Sequence, residues 1–393
     1  MSYPQTAISD IANFINGFPF KPSDWCDKGY KIIRIQNLSN LSKPFNRTQK
    51  EVPTRYLVKR GDILVSWSAT IDVFEWDDED SYLNQHIFKV EYNPQKVDKQ
   101  YFKLSLKNTI RELGKFAHGS TMKHVVKGDF DNHQIPLPPL DDQIRIATLL
   151  SKVENLISRR REQLKQLDEL LKSVFLEMFG DPVRNDMGWE TVPLAKFGSL
   201  DRGVSKHRPR NAPELLGGKY PLIQTGEVSN AGTYITSYTQ TYSDAGFKQS
   251  KMWKQGTLCI TIAANIAKTG ILTFDACFPD SVVGFTVNPN EANILFVHHL
   301  FAFFQKILET KAPQAAQKNI NLEMLRTLIV PKPSLDIQNQ FSIIVTKVES
   351  LKTSYAQSLI QLESLYGTIS QKAFRGELDL SRVPLVEEGE PVI

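Results

Sequence analysis

Two stretches of the chain keep apolar residues spaced three and four apart for roughly 35 residues each, about 50 Å of helix at 1.5 Å per residue. In the first, Leu150, Ile157, Leu164, Leu171 and Met178 form one row, and Ile146, Val153, Arg160, Leu167 and Val174 the other. That is a heptad seam with one intruder, Arg160. In the second, the rows are Val345, Lys352, Leu359, Tyr366, Ala373 and Phe341, Val348, Tyr355, Leu362, Ile369. Asp141 is the expected N-cap of the first helix, and Gly180-Asp181-Pro182 its stop. A stripe this long needs a partner of equal length, and each helix is the other's only candidate. The spacing predicts an antiparallel pair with Arg160 near Tyr355 and Lys352 one turn away. The alternative is that each helix packs only on its own globular segment.

Elsewhere the apolar runs are short. Tyr30–Ile35, Asp62–Ser66, His86–Tyr92, Tyr220–Gln224, Thr257–Thr261 and Val282–Val287 read as strands. Lys99–Glu112 and Glu291–Glu309 read as helices. This is an α+β pattern.

The chain also repeats itself. Pro136-Leu137-Pro138-Pro139-Leu140-Asp141-Asp142-Gln143 matches Pro331-Lys332-Pro333-Ser334-Leu335-Asp336-Ile337-Gln338, and Lys152-Val153-Glu154 matches Lys347-Val348-Glu349. Leu156, Leu164, Leu167 and Leu170 fall on Leu351, Leu359, Leu362 and Leu365. Upstream, Lys59–Leu64 matches Lys254–Cys259, Asn93-Pro94 matches Asn288-Pro289, and Ser39-Asn40 matches Ser229-Asn230. Two copies are too few and too large for a solenoid; they point to a pseudo-twofold molecule. The expected segments are 1–135, 136–182 (first long helix), 183–330, 331–380 (second long helix) and a mobile tail, 381–393.

Composition narrows the class. The chain has 393 residues, 41% hydrophobic and 23% charged, with only three cysteines and no CxxC. Disulfide scaffolds and zinc ribbons are disfavoured. No apolar run reaches the roughly 18 residues of a membrane helix, and the N-terminus has no signal-peptide pattern, so a cytoplasmic protein is expected. A net charge of +4 allows a nucleic-acid partner without demanding one.

No phosphate loop, HExxH, GxSxG or Cys/His cluster is present. Pro279-Asp280 followed by Glu309-Thr310-Lys311 resembles a metal-dependent nuclease signature. That chemistry needs the acid and lysine on one strand, and here they fall in a helical pattern. His298-His299 is expected to be one surface and one semi-buried histidine.

Three kinds of place suit DNA. Ser205–Arg210, with Lys206, Arg208 and Arg210, is short, extended and basic, as phosphate contacts require. Arg34, Gln36, Asn37, Asn40, Lys43 and Arg47 combine base-reading side chains with cations, and Gln224 stands in the second copy. Ser120 with Lys123, its counterpart Gln317 with Lys318, and Asn265 with Lys268 set small or polar residues beside a lysine.

Gly17-Phe18-Pro19-Phe20-Lys21-Pro22-Ser23-Asp24-Trp25 and Ile33–Leu38 resemble the opening of a target-recognition domain in the specificity subunits of type I restriction-modification systems. Pro136–Gln143, Met178–Pro182 and Gly188-Trp189-Glu190 resemble that family's central conserved region. Gln317–Asn321 and Ala373–Leu378 resemble its second domain and distal region. The resemblance implies two pseudo-twofold-related α+β target-recognition domains joined by an antiparallel coiled coil. It implies a non-catalytic subunit reading a bipartite double-stranded DNA target, with modification and restriction subunits as partners. S-adenosylmethionine, ATP and magnesium are then expected on those partners and not on this chain. Beginning about a dozen residues before Asn16-Gly17, the chain is expected to have a shortened first strand. The competing readings are a self-sufficient endonuclease and a free-standing DNA-binding regulator.

Overall fold

The computed structural model describes residues 3–40, 42–67, 71–116, 127–263, 265–311 and 320–385. The chain divides into two compact units, one of residues 1–159 and 359–393, the other of residues 160–358.

In the first unit, Ala12–Asn16, Ile87–Tyr92, Ile63–Ser66 and Asp72–Glu75 form an antiparallel four-stranded sheet in that order. Ile63–Ser66 is buried along its whole length, as an apolar run in an inner position must be. A second sheet runs Asn46–Thr48, Tyr30–Ile33, Ser81–Leu83, Leu57–Val58, with Tyr30–Ile33 and Ser81–Leu83 parallel. Helix Lys99–Phe116 follows, and strand Gln134–Pro136 returns to pair with Gln5–Ala7.

The second unit repeats the plan. Gly198–Arg202, Val282–Val287, Leu258–Thr261, Thr269–Leu272 and Tyr234–Ile235 form the larger sheet. Gln240–Tyr242, Leu216–Leu222, Ala276–Cys277 and Met252–Trp253 form the smaller one, again with a parallel inner pair. Helix Ile294–Lys311 leads to Ile329–Pro331, which pairs with Thr191–Pro193. The first strand, Gln5–Ala7, is as long as its counterpart Thr191–Pro193, so it is not shortened.

Two expected strands end early. Tyr30–Ile35 is strand only to Ile33 and then turns into helix Ile35–Ser39, because the Asn37 side chain accepts the Arg34 amide at 3.2 Å. Tyr220–Gln224 stops at Leu222; Gln224 caps helix Thr225–Ser229, its amide donating to Glu227 at 3.1 Å.

The shared Pro-x-Pro-x-Leu-Asp-x-Gln motif has a structural cause. Gln143 is fully buried. Its amide nitrogen donates to Pro138 O (2.8 Å) and Lys96 O (3.1 Å), and its oxygen accepts Asp98 N at 2.8 Å. Gln338, equally buried, donates to Pro333 O at 2.9 Å and accepts Asn293 N at 2.9 Å. Each glutamine thus ties the start of a long helix to its entry loop and to the lead-in of the preceding helix. The long helices run Leu140–Phe179 and Leu335–Arg375. Asp141 therefore lies inside the first turn and is not the cap; there its charge favours the positive end of the helix dipole. Gly180, at φ +73°, closes the first helix as expected.

The long helices are antiparallel. Within the first unit, Tyr366 donates its hydroxyl to Glu154 at 2.8 Å, and Ile146 and Leu150 share a core with Ile369 and Ala373. Within the second, Phe175 and Phe179 pack edge-on against Phe341 (5.5 and 5.4 Å), Lys352 pairs with Asp168 at 2.8 Å, and the Arg160 guanidinium lies 4.2 Å from the Tyr355 ring centroid. Burial works against the charge on Lys352, but Asp168 and Glu349 outweigh it and hold its pKa above the ordinary value. The described start of the tail is anchored at Val383, whose carbonyl accepts from Arg145 at 3.1 Å and whose side chain packs on the first unit's core. Only residues 386–393 of the expected mobile tail lie outside the described residues.

Arg160 on Tyr355 is worth about 0.5–2 kcal/mol. Arg160→Leu restores the heptad and is expected to keep or raise the melting temperature. Arg160→Asp sets a carboxylate on the ring's negative face and is expected to lower it. Thermal unfolding followed by circular dichroism checks both, and equal melting temperatures would mean the contact contributes nothing.

Candidate nucleic-acid interface

In each unit a glycine lets the chain leave the first sheet strand against a neighbouring turn. A Cβ on Gly17 would lie 2.1 Å from Asn84 O, and one on Gly203 would lie 2.3 Å from Pro279 O. No side chain fits either place, and both glycines open the segments that lead to the candidate residues.

In the second unit that segment is Ser205–Arg210. Gln249 Oε1 accepts the backbone amides of Lys206 (2.5 Å) and His207 (3.0 Å). Arg208 donates to the carbonyls of Ser205 and His207 and pairs with Asp280 at 3.2 Å. Arg210 pairs with the other oxygen of the same carboxylate. Arg202 donates to Asp280 O at 2.6 Å. Asp280 thus gathers three arginines, two on its carboxylate and one on its backbone carbonyl, while the Lys206 side chain stays exposed. The next residue, Ser281, accepts Ile262 N at 3.0 Å, which brings the loop carrying Asn265 and Lys268 alongside. Thr261 pins that loop, its hydroxyl donating to Asn265 O and its amide to Lys268 O at 2.9 Å. Both candidates are exposed. The Ile320 amide donates to Ile262 O at 3.1 Å, so the chain following Gln317 and Lys318 returns to this loop. Gln224 is exposed at the cap of helix Thr225–Ser229, and its side chain donates to Gln240 of the smaller sheet at 2.6 Å.

In the first unit the candidates surround the short helix after Tyr30–Ile33. Arg34 donates to Asn46 Oδ1 at 3.2 Å and its guanidinium stands 5.5 Å from the Trp25 ring centroid. Arg47 donates to Gly29 O at 2.8 Å and lies 3.5 Å from Glu79. Gln36 is half-buried, and Asn40 and Lys43 are exposed. Asn37 is different: it is fully buried and its amide donates to Lys43 O and Pro44 O, so it supports the loop and presents nothing at the surface. Ser120, Lys123, Gln317 and Lys318 lie outside the described residues. Sequence reasoning missed Gln249, Gln240, Trp25 and the anchoring role of Asp280. Only Asp280 had left a signal, as the acid of the nuclease-like pattern.

That pattern does not assemble a catalytic centre. Glu309 and Lys311 sit on helix Ile294–Lys311, where residues two apart diverge, and Asp280 is occupied by arginines. His298 and His299 are both half-buried, not one surface and one semi-buried. His298 contacts Thr269 Oγ1 at 2.9 Å, and His299 meets the Phe341 ring at 5.3 Å. Burial, aided by the charge of Lys352, holds His298 well below the usual range and His299 at about 4, so both are neutral at pH 7. Among the described residues no group of three or more His, Cys, Asp or Glu could hold a metal. No described helix is long and apolar enough to cross a membrane.

The family model for the type I restriction modification DNA specificity domain matches twice, over residues 5–167 and 187–364. The chain belongs to this family. Each match takes in one globular segment and much of the long helix that follows it. The specificity subunit of the type I restriction enzyme EcoBI from Escherichia coli is 26% identical over 422 residues, covering 96% of this chain and 86% of that one. A putative MjaX specificity subunit from Methanocaldococcus jannaschii is 22% identical, covering 94% and 92%. The type I S subunit crystal structure from M. genitalium superposes with a TM-score of 0.59 at 15% identity, covering 95% and 96%, which shows a shared fold. This specificity subunit contributes DNA recognition and not catalysis, and neither the endonuclease nor the free-standing regulator is supported.

Replacing Lys206, Arg208 and Arg210 together by Ala is expected to weaken DNA binding and flatten its salt dependence, each lost phosphate contact removing roughly 0.9 from the log–log slope. Asp280→Asn releases two arginines without removing a cation, so specific affinity should fall while the slope is kept. Fluorescence anisotropy over a potassium chloride series separates the cases; an unchanged slope in the triple variant would take this loop off the DNA.

Proposed function

We propose that this specificity subunit reads a bipartite, asymmetric double-stranded DNA target, one half-site per globular segment. The observation that carries this reading is the duplication: two matches to one DNA-specificity family, falling on two units that share a strand order, the second with one added edge strand, and differ in their surface side chains. The contact set consists of Arg34, Gln36, Asn40, Lys43 and Arg47 in the first half, with Ser120 and Lys123. In the second it is Lys206, Arg208, Arg210, Gln224, Asn265, Lys268, Gln317 and Lys318. Arginine, glutamine and asparagine supply base-edge hydrogen bonds, and the lysines supply phosphate contacts. The recognition segments are 1–135 and 183–330, joined by the helical segments 136–182 and 331–380.

The long helices serve as the seat of the modification subunits, with the restriction subunits joining that assembly. Matched exposed leucines support a seat built twice: Leu156 and Leu351 are 49% and 48% exposed, and Leu170 and Leu365 are 45% and 46% exposed. Apolar side chains left open at equivalent positions of both helices suit two copies of one partner. S-adenosylmethionine, ATP and magnesium belong to those partners, and the complex works in the cytoplasm.

Exchanging residues 187–330 for the equivalent segment of a relative is expected to change one half of the methylated motif and leave the other half as it was. Methylome sequencing of cells carrying the chimera with its modification subunit reads this directly. A change in both halves would refute independent readers.

A further inference from the structure

The internal repeat provides a control for each position: what one unit does at a given place in the fold can be compared with the other. At one such place they differ in kind. In the second unit, Phe175 of the first long helix is fully buried and stacks on Phe303 at 4.9 Å and Phe296 at 5.7 Å, and Phe304 is buried beside them. The equivalent positions in the first unit are Ser370 for Phe175, Asn108 for Phe303 and Thr109 for Phe304. Phe296 keeps an aromatic counterpart in the buried Tyr101, but the other three rings of the plug are gone, and a pocket of about 500 Å³ is lined from helix Lys99–Phe116, strand Gln134–Pro136 and the end of the second long helix. The fold does not require the pocket, since the second copy fills it.

Its lining is polar, and its two arginines are exposed. Thr109 forms part of the wall, is 1% exposed, and its hydroxyl has no hydrogen-bond partner. Arg111 and Arg375 also line the pocket, and neither has an ion-pair partner among the described residues. The one acid there, Glu112, faces His133 at 3.4 Å. Two guanidinium groups against one partnered carboxylate favour an anion, and guanidinium geometry matches phosphate oxygens. The volume falls in the range of small-molecule sites and is far larger than an inorganic phosphate needs.

We propose that this pocket binds an organic phosphate of nucleotide size, with Arg111 and Arg375 on the phosphate. Such a ligand would be additional to the DNA target, and the proposal does not depend on how DNA is read.

Isothermal titration of the full chain with AMP, ATP and sodium phosphate tests it. Saturable binding of a nucleotide is expected, about tenfold or more tighter than phosphate, and weakened about tenfold by Arg375→Gln, the loss that follows removal of one charge-assisted hydrogen bond. Ser370→Phe, which imports the second unit's plug, should abolish binding with the melting temperature kept. If that variant fails to fold, Arg111→Gln tests the second guanidinium and should weaken binding by a similar factor. Equal affinity for nucleotide and phosphate would overturn the organic ligand in favour of free phosphate. No binding up to about 1 mM, or binding untouched by all these variants, would overturn the site. If a DNA duplex displaces the nucleotide and Arg375→Gln weakens DNA binding in parallel, the pocket belongs to the DNA interface and the small-ligand reading falls.

Discussion

Each half of this molecule hangs on one buried amide. Gln143 and Gln338 sit at the roots of the long helices with both ends of the side chain engaged by backbone. A buried glutamine must satisfy its amide or cost stability, and here the entry loop and the segment leading into the preceding helix satisfy it. The direction in which each long helix leaves its globular segment is therefore fixed by hydrogen-bond geometry, which is directional, and not by apolar packing alone, which is not. A leucine of similar size would fill the space and leave the Asp98 or Asn293 amide without an acceptor.

The long helices use the opposite logic. Their apolar rows are packed at the ends, where phenylalanines and isoleucines join the unit cores, and are interrupted in between by Arg160, Lys352 and Tyr355. Those residues are half-buried and satisfied: the guanidinium by a ring face, the ammonium by Asp168 and Glu349. Polar residues in a seam sacrifice some stability for register. A slip by one turn would separate Arg160 from its ring and Lys352 from its carboxylates, whereas an all-leucine seam would tolerate it.

The periodic parts of this structure were legible in the sequence. The heptad rows located both long helices, their direction and the Arg160–Tyr355 contact, because a seam's geometry follows from its spacing. The duplication located the equivalent strands for the same reason. Individual side-chain roles were less legible. Asn37 looked like a base reader and is a loop support, and Asp280, noted only as part of a nuclease-like pattern that helical spacing argued against, is an arginine anchor. Residue type says what a side chain can bond to; which bond it makes depends on neighbours distant in sequence, Pro44 for the one and Arg208 for the other. The short helices after Ile33 and Leu222 were missed because a five-residue helix leaves no periodic trace.

The unit made of residues 1–159 and 359–393 has a consequence for synthesis. Its two parts are separated by about 200 residues, so at roughly 5–20 residues per second the ribosome needs about 10–40 s to supply the second part after the first. Throughout that interval Ile146 and Leu150 have no Ile369 or Ala373 to cover them. The intervening unit, residues 160–358, is complete in itself and is free to fold while the earlier segment waits. The nascent chain thus spends its longest exposed period with one apolar helical stripe open. That is the state in which a second chain, or a holdase, has its best access to it.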